Sequence, residues 1–274
     1  MRAEKEEAVK ICTFNVNSIK IRTDLIIEWL THRKDDTDIL CFQEIKTIDE
    51  GFPFEAYQKK GFHCCVFGQK AYNGVAICSQ YPMENVQKGF GDALWDQQKR
   101  IISAEIEGIT IINLYAPHGG VRGDEKFVYK LNWYERLLSF LRQKHSPSDP
   151  LVIVGDMNVA RENRDVYDPE ALEDAIGTMP EERKSFENLL NWGLIDAFRH
   201  LQPEQKQFTW WDYIGGAVWR DEGMRIDYVL CTEPMLKNLK EVGVDIWPRK
   251  RRVPKPSDHA PLIACFGISS APEI

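Results

Sequence analysis

Apolar residues come in short blocks, each about the length of one strand. Segments 9–16, 38–45, 63–67, 74–79, 101–107, 110–115, 151–154, 226–231 and 262–266 are rich in Val, Ile, Phe and Cys, and are predicted as strands. Helical spacing appears between them. Thr23 is placed to cap a helix over 24–33, with Leu25, Ile26, Trp29 and Leu30 on one face. Phe127, Leu131, Tyr134, Leu138 and Leu141 fall at helical intervals within 126–144, 182–192 forms a helix ended by Gly193, and 233–241 is expected to be a short one. Early strands alternate with helices, and later ones are joined by tight turns such as Glu107-Gly108. About nine to twelve strands in one domain imply an α/β fold of two mixed sheets packed together, with helices outside.

The chain has 274 residues, and no Gly/Ser tract, Pro-rich spacer or compositional break divides it. It is read as a single domain, 1–274, with 1–8 a flexible extension and 268–274 a flexible tail. A hydrophobic fraction of 43% excludes general disorder, and no apolar run approaches bilayer length. Residues 1–10 alternate acids and bases without an apolar core, so no secretory signal is expected and the protein is placed in the cytosol. The seven cysteines include no Cys-x-x-Cys pair. Cys12, Cys41, Cys78, Cys231 and Cys265 are read as small buried hydrophobes in a reducing compartment, and the adjacent Cys64 and Cys65 as not bridged to each other. The net charge of −7 does not suggest a partner held by charge alone, and the basic run 249–255 reads as a solvated loop.

The polar residues are more informative. Apolar blocks repeatedly end in a carboxylate or amide: Asn15-Val16-Asn17, Gln43-Glu44, Asn113-Leu114-Tyr115 and Asp156-Met157-Asn158. Residues two apart on an extended chain share a face, and ligand sites in α/β sheets form beyond the carboxyl ends of strands. Arg225-Ile226-Asp227 and Ser257-Asp258-His259 stand at strand starts instead. They reach the same edge only if those strands run antiparallel to the others. The set contains no cysteine, and its hard oxygen donors favour Mg²⁺ or Mn²⁺ over zinc. Carboxylates, a histidine and a divalent cation suit phosphoryl chemistry.

These segments resemble the exonuclease III type of abasic-site endonucleases, within the deoxyribonuclease I-like superfamily of endonucleases, exonucleases and phosphatases. The matching stretches are TFNVNSIK from Thr13, CFQEIK from Cys41, NGVAI from Asn73, NLYAPHG from Asn113, VGDMNVA from Val154, LIDAFR from Leu194, FTWWDY from Phe208, RIDYVL from Arg225 and SDHAPL from Ser257. The resemblance implies a four-layered α/β sandwich. It also implies Mg²⁺-dependent hydrolysis, with Mn²⁺ as a substitute, of the phosphodiester 5′ to an abasic site in duplex DNA. Trimming or cleaning of 3′ ends would accompany it, by a monomer with no membrane contact.

Carried onto this chain, the resemblance makes Glu44 the principal metal ligand, with Asn17 and Asp258. Asp156 would position or deprotonate the attacking water, and Asn15 would hold Asp156. Asn158 and Tyr115 would bind the scissile phosphate. His259 would donate to a phosphate oxygen, with Asp227 orienting and charging its ring, and Lys46 would complete the charged network. Trp210, Met224 and Ile226 would line a pocket for the flipped-out sugar, too small for a nucleotide. Arg122 and Ile214 are the candidates for residues inserted into DNA, although 118–126 matches the family poorly. Asn17 stands where some members carry aspartate. Arg161 reads more readily as a surface arginine than as a phosphate contact, and Trp211 serves equally as a core aromatic. Two other functions compete with this one: a phosphatase acting on an inositol phosphate or phospholipid, and a DNA-binding relative without catalysis.

Overall fold

The computed structural model describes residues 8–33 and 37–268, so the expected extension and tail lie outside the described residues except at Ala8 and Ile268. In chain order the elements are β1 (Ala8–Asn15), α1 (Ile19–His32), β2 (Ile39–Gln43), α2 (Phe54–Gln58), β3 (His63–Phe67), β4 (Val75–Ser79), β5 (Glu84–Lys88), β6 (Ile101–Ile106), β7 (Ile109–Tyr115), α3 (Glu125–Lys144), β8 (Leu151–Asp156), α4 (Pro180–Asn191), β9 (Ile195–Asp196), α5 (Ala197–Leu201), β10 (Trp210–Trp211), α6 (Ala217–Arg220), β11 (Gly223–Met224), β12 (Asp227–Cys231), α7 (Glu233–Leu236), β13 (Leu239–Val244) and β14 (Leu262–Gly267).

Two six-stranded mixed sheets form, ordered β13-β14-β1-β2-β4-β3 and β5-β6-β7-β8-β12-β9, with β10 and β11 as a separate pair. Strand alternation explains the layering. Val9 and Ile11 of β1 and Ile39 and Cys41 of β2 point at the other sheet, meeting Ile102, Ile111, Val152, Val154 and Val229. The alternate residues Cys12, Phe14, Leu40 and Phe42 face outward and are covered by Ile19, Ile26 and Trp29 of α1 and Tyr57 of α2. On the far side, Trp133, Tyr134, Leu137 and Leu141 of α3 and Phe186 and Leu189 of α4 cover Ile112, Leu114, Ile153 and Leu230. The result is the expected α/β/β/α sandwich.

The pairing settles how the polar ends meet. β1 and β2 run parallel, as do β7 and β8. β14 is antiparallel to β1 and β12 is antiparallel to β8. The starts of β12 and β14 therefore reach the edge where β1, β2, β7 and β8 end. One glycine makes this possible: Gly155 has φ 143, and a Cβ there would lie 1.9 Å from the Leu114 carbonyl oxygen. Only glycine lets β8 come this close to β7 immediately before Asp156.

Several expectations need correction. The first helix begins at Ile19, and Thr23 lies inside it, its hydroxyl donating to the Ile19 carbonyl (2.8 Å) rather than capping. The helix expected over 233–241 stops at Leu236, and Leu239–Val244 becomes a strand because β14 offers it a long pairing edge. Strand β5 was missed because its residues are mostly exposed and polar, with no apolar alternation to mark it. Cys78 is not free: Cys64 and Cys78 stand directly opposite on β3 and β4 and are joined by a disulfide. That register is invisible from sequence spacing. Cys12, Cys41, Cys65, Cys231 and Cys265 are free. Among the described residues no helix is long and apolar enough to cross a membrane.

Candidate active site

The chain kinks at four of the positions that deliver a polar side chain to the shared edge. Asn17, Glu44, Lys46 and Asn158 all have positive φ (44, 48, 53 and 51). A non-glycine residue in this region costs about 1–2 kcal/mol, and such strain gathers at functional sites. Two amides hold the bends: Ser18 N–H donates to the Glu44 carbonyl (2.7 Å) and Lys46 N–H to that of Asn73 (2.9 Å).

Asn15 joins the two sheets. Its side-chain amide donates to Glu44 Oε1 and to Asp156 Oδ2, each at 2.9 Å. Asp156 Oδ1 in turn accepts from the Asn158 backbone N–H at 2.8 Å. His259 Nδ1 lies 2.8 Å from Asp227 Oδ2, and its Nε2 lies 3.8 Å from Asp156 Oδ2. One donor atom each of Glu44, Asp156 and His259 lies within 4.8 Å of the others. The buried Thr209 hydroxyl accepts from the backbone N–H groups of Ile226 and Asp227, both at 3.1 Å, fixing the entry to β12.

A second chain of contacts runs through the other expected metal ligands. Lys46 Nζ donates to Glu44 Oε2 (2.9 Å) and Asn17 Oδ1 (2.6 Å), Asn17 Nδ2 to Asp258 Oδ1 (2.9 Å), and Trp210 Nε1 to Asp258 Oδ2 (3.1 Å). Ser257 anchors this loop through its hydroxyl, which donates to the Asn15 carbonyl (2.7 Å).

Charge states follow from these neighbours. Burial would lower the His259 pKa, but Asp227, bonded to it, and Asp156 and Asp258 nearby more than offset this, so the imidazole is held well above its usual range and stays charged at neutral pH. Burial pushes the Asp156 carboxyl up, opposed by His259, and Asp227 behind it adds to the rise. Burial also raises the Tyr115 phenol, reinforced by Glu44 and Asp156, so its hydroxyl remains a donor. Burial would raise Asp258, but His259, Asn17 and Trp210 hold it below the usual carboxylate range.

The donor set fits a hard divalent cation. Glu44, Asp156 and the Asn17 side-chain carbonyl offer hard oxygen donors close together, the type such a cation takes. Asp258 connects to this group through Asn17 rather than joining the tight cluster, whereas Asp156 and His259 belong to it.

Beside the carboxylates opens a cavity of about 660 Å³, lined by Glu44, Tyr115, His118, Asp156, Asn158, Trp210, Ile214, Met224, Ile226, Asp258 and His259 among others. Trp210, Met224 and Ile226 form one apolar wall with Ala160 and Val166 behind them. Trp211, next in sequence, is buried core. Ile214 is 79% exposed at the rim. Arg122 points to solvent in ion pairs with Asp174 (2.7 Å) and Glu181 (3.0 Å), and Arg161 pairs with Glu187 (3.2 Å).

Two flagged residues are elsewhere. Gln43 and Asn113 face the interior between the sheets, where Gln43 Nε2 donates to Asn113 Oδ1 at 2.6 Å. Alternation directs both inward, Gln43 as the last residue of β2 and Asn113 two residues before the end of β7. The residues missed from sequence are those beneath the site. Lys130 Nζ donates to the carbonyls of Asn158 (2.7 Å) and His118 (3.1 Å) and is paired with Glu182 at 2.5 Å, all without solvent exposure of either charge. Arg225 binds Asp165 and Asp196, both at 2.8 Å, under the start of β12. A lysine at an inward helical position was the only signal available, and it does not name its partner.

Known proteins are similar to this chain over nearly its whole length. An exodeoxyribonuclease III from Haemophilus influenzae is 35% identical over 275 residues, covering 94% of this chain and all of that protein. A solved AP endonuclease from Archaeoglobus fulgidus superposes with a TM-score of 0.89 at 39% identity, covering 94% of this chain and 99% of the other. The 3′-5′ exonuclease NExo from Neisseria meningitidis superposes with a TM-score of 0.88 at 39% identity, covering 94% and 100%. A family model described as Endonuclease/Exonuclease/phosphatase matches residues 12–259, and with the cluster of acids, amides and histidine at one edge of its paired sheets the chain belongs to that family.

Proposed function

We propose that this protein is a Mg²⁺-dependent DNA repair nuclease that hydrolyses the phosphodiester 5′ to an abasic site in duplex DNA and also acts at 3′ ends. The observation that carries the reading is the meeting of Glu44, Asp156 and His259 within 4.8 Å, beside a pocket walled by Trp210, Met224 and Ile226. Named relatives support both activities: an AP endonuclease, and NExo, described as a 3′-5′ exonuclease and as a 3′ phosphatase bound to a DNA hairpin product.

Glu44 would hold the cation with the Asn17 side-chain carbonyl beside it, Asp258 would fix Asn17 through its hydrogen bond, and Mn²⁺ would serve as a substitute. It would offset phosphate charge and polarise a phosphoryl oxygen. Asp156, fixed by Asn15 and the Asn158 amide, accepts the proton of the attacking water. Its raised pKa suits that task near neutral pH. His259 donates to a phosphate oxygen, and Asp227 keeps it charged and oriented. Asn158 and the Tyr115 hydroxyl stabilise the charge that develops on the scissile phosphate. Lys46, Arg122 and Ile214 are assigned to DNA contact. The apolar wall selects a sugar without a base, and it does not suit a multiply charged inositol phosphate.

The test is incubation of the purified protein with an abasic oligonucleotide duplex, with Mg²⁺ or with EDTA. Nicking that EDTA abolishes is expected. Asp156→Asn should slow it by at least about 10³-fold, within the range of general-base losses, while DNA binding persists. Nicking at near-normal rate by that variant would remove the assignment of Asp156.

A further inference from the structure

We propose that loop 249–255, with Ile214 and Trp219 beside it, forms a second contact surface that grips the sugar–phosphate backbone of duplex DNA flanking the incised site. This rests on the nuclease reading above. The loop reads RKRRVPK, five cations without an acid in a chain of net charge −7.

The loop is fastened to the active site. Arg249 is 5% exposed, and its guanidinium donates to the backbone carbonyls of Asp258 (3.2 Å), Trp211 (3.0 Å) and Asp212 (3.1 Å). The Tyr213 hydroxyl donates to the Pro256 carbonyl (3.0 Å), and Arg22 donates to both, at 2.9 and 3.1 Å. The first cation of the run thus acts as a buried anchor, and the rest of the segment is the solvated loop that the sequence suggests.

The remaining cations divide. Arg251 is matched by Glu28 (2.9 Å) and lies over the Trp247 ring. Lys250, Arg252 and Lys255 make no ion pair among the described residues and are exposed. Lys250 lies 5.5 Å from the centre of the Trp219 ring and Lys255 5.9 Å from that of Tyr213. Apolar groups stand bare among them: Val253 is 80%, Ile214 79% and Trp219 60% exposed. Three unmatched cations interleaved with exposed apolar side chains suit a partner that alternates phosphates with sugar faces. Continuity fixes which partner. Asp212, Ile214, Ala217 and Arg220, next to the loop's anchors and to Trp219, line the same cavity as Asp156. A duplex with its reacting phosphate at Asp156 has its flanking backbone at this rim.

The experiment compares two triple variants that lose equal charge. One is Lys250→Ala with Arg252→Ala and Lys255→Ala. The control is Arg142→Ala with Lys144→Ala and Lys237→Ala, exposed positions in the last turn of α3 or just after α7, at the opposite end of β8 and β12. Binding of an abasic duplex is followed by fluorescence anisotropy in EDTA across a salt series, and nicking is followed in Mg²⁺. Each lost phosphate contact lowers the log–log salt slope by about 0.9. The rim variant should lose about 2–3 from the slope and raise KM at least about fivefold with kcat unchanged, and the control should match wild type. An unchanged slope and KM in the rim variant, or equal loss in both, overturns the rim. Wild-type protein that binds DNA but never nicks it overturns the nuclease reading and leaves the slope comparison to decide the rim; wild type that does neither overturns both.

Discussion

Replacing Lys130 with methionine removes a charge while nearly conserving the side chain's length. The ammonium has three buried acceptors: Glu182 Oε1 at 2.5 Å, the Asn158 carbonyl at 2.7 Å and the His118 carbonyl at 3.1 Å. Glu182 also accepts from the backbone N–H groups of Gly177 (2.7 Å) and Met179 (3.1 Å) through its second oxygen. Lys130→Met leaves that carboxylate buried without its cation, which costs about 3–5 kcal/mol. Unfolding entropy of about 2.1 cal/mol/K per residue over 274 residues converts this to a fall in Tm of about 5–9 °C. Adding Glu182→Gln removes the stranded charge and keeps a carbonyl for Gly177 and Met179, so the double variant should regain at least about half of the loss. Its nicking rate should not recover, because Asn158 still lacks its donor from below, and a displaced phosphate ligand lowers kcat about tenfold or more. Thermal denaturation and single-turnover nicking read the two effects separately. A Tm shift under about 2 °C for the single variant, or a double variant no more stable than the single, refutes the reasoning.

Asp227→Asn removes the carboxylate that does most to raise the His259 pKa. A raised histidine loses its proton only at high pH, so the alkaline limb of the nicking profile should move to lower pH in the variant; an unmoved limb would contradict the role. For Asp165, burial would raise the pKa, but Arg225 and Arg199 hold it below the usual range. Its contribution to stability is therefore complete above the unfolded value of about 3.9 and disappears as pH falls through the folded value. Urea midpoints of wild type and Asp165→Asn should differ widely at neutral pH and converge in acid, and a constant gap would show the shift is absent. Gly155→Ala drives a Cβ to 1.9 Å from the Leu114 carbonyl oxygen. Little folded protein should be recovered, as judged by circular dichroism, and a soluble, active variant would disprove the close approach.

The main strands and the reactive cluster were legible for one reason. Buried strands are continuous apolar blocks, and an acid at the end of such a block has no structural purpose, so Glu44, Asp156 and the 257–259 triplet stood out. Asp227 needed the further step that β12 runs against β8, which local pattern does not state. The supporting residues were hidden because their partners lie far along the chain: Lys130 meets Glu182 52 residues away and Arg249 meets Trp211 38 residues away. The disulfide was hidden likewise, since it depends on the register of β3 against β4. Strand β5 was lost for the opposite reason, because a solvated edge strand carries no apolar code. Gln43 and Asn113 misled because an amide at or near the end of a strand looks the same in sequence whether it faces a cleft or a neighbouring sheet.

Asn15 belongs to one sheet and Asp156 to the other, and 2.9 Å separates their side chains. Each half of the molecule therefore brings an incomplete set of reactive groups. Any slip of one β layer over the other, even when initiated by a repacked valine far from the cleft, would break the Asn15 bridge before it unfolded anything. Turnover in this protein should report on how faithfully its two halves mate, and a loss of rate without a loss of fold is the expected signature of damage to that seam.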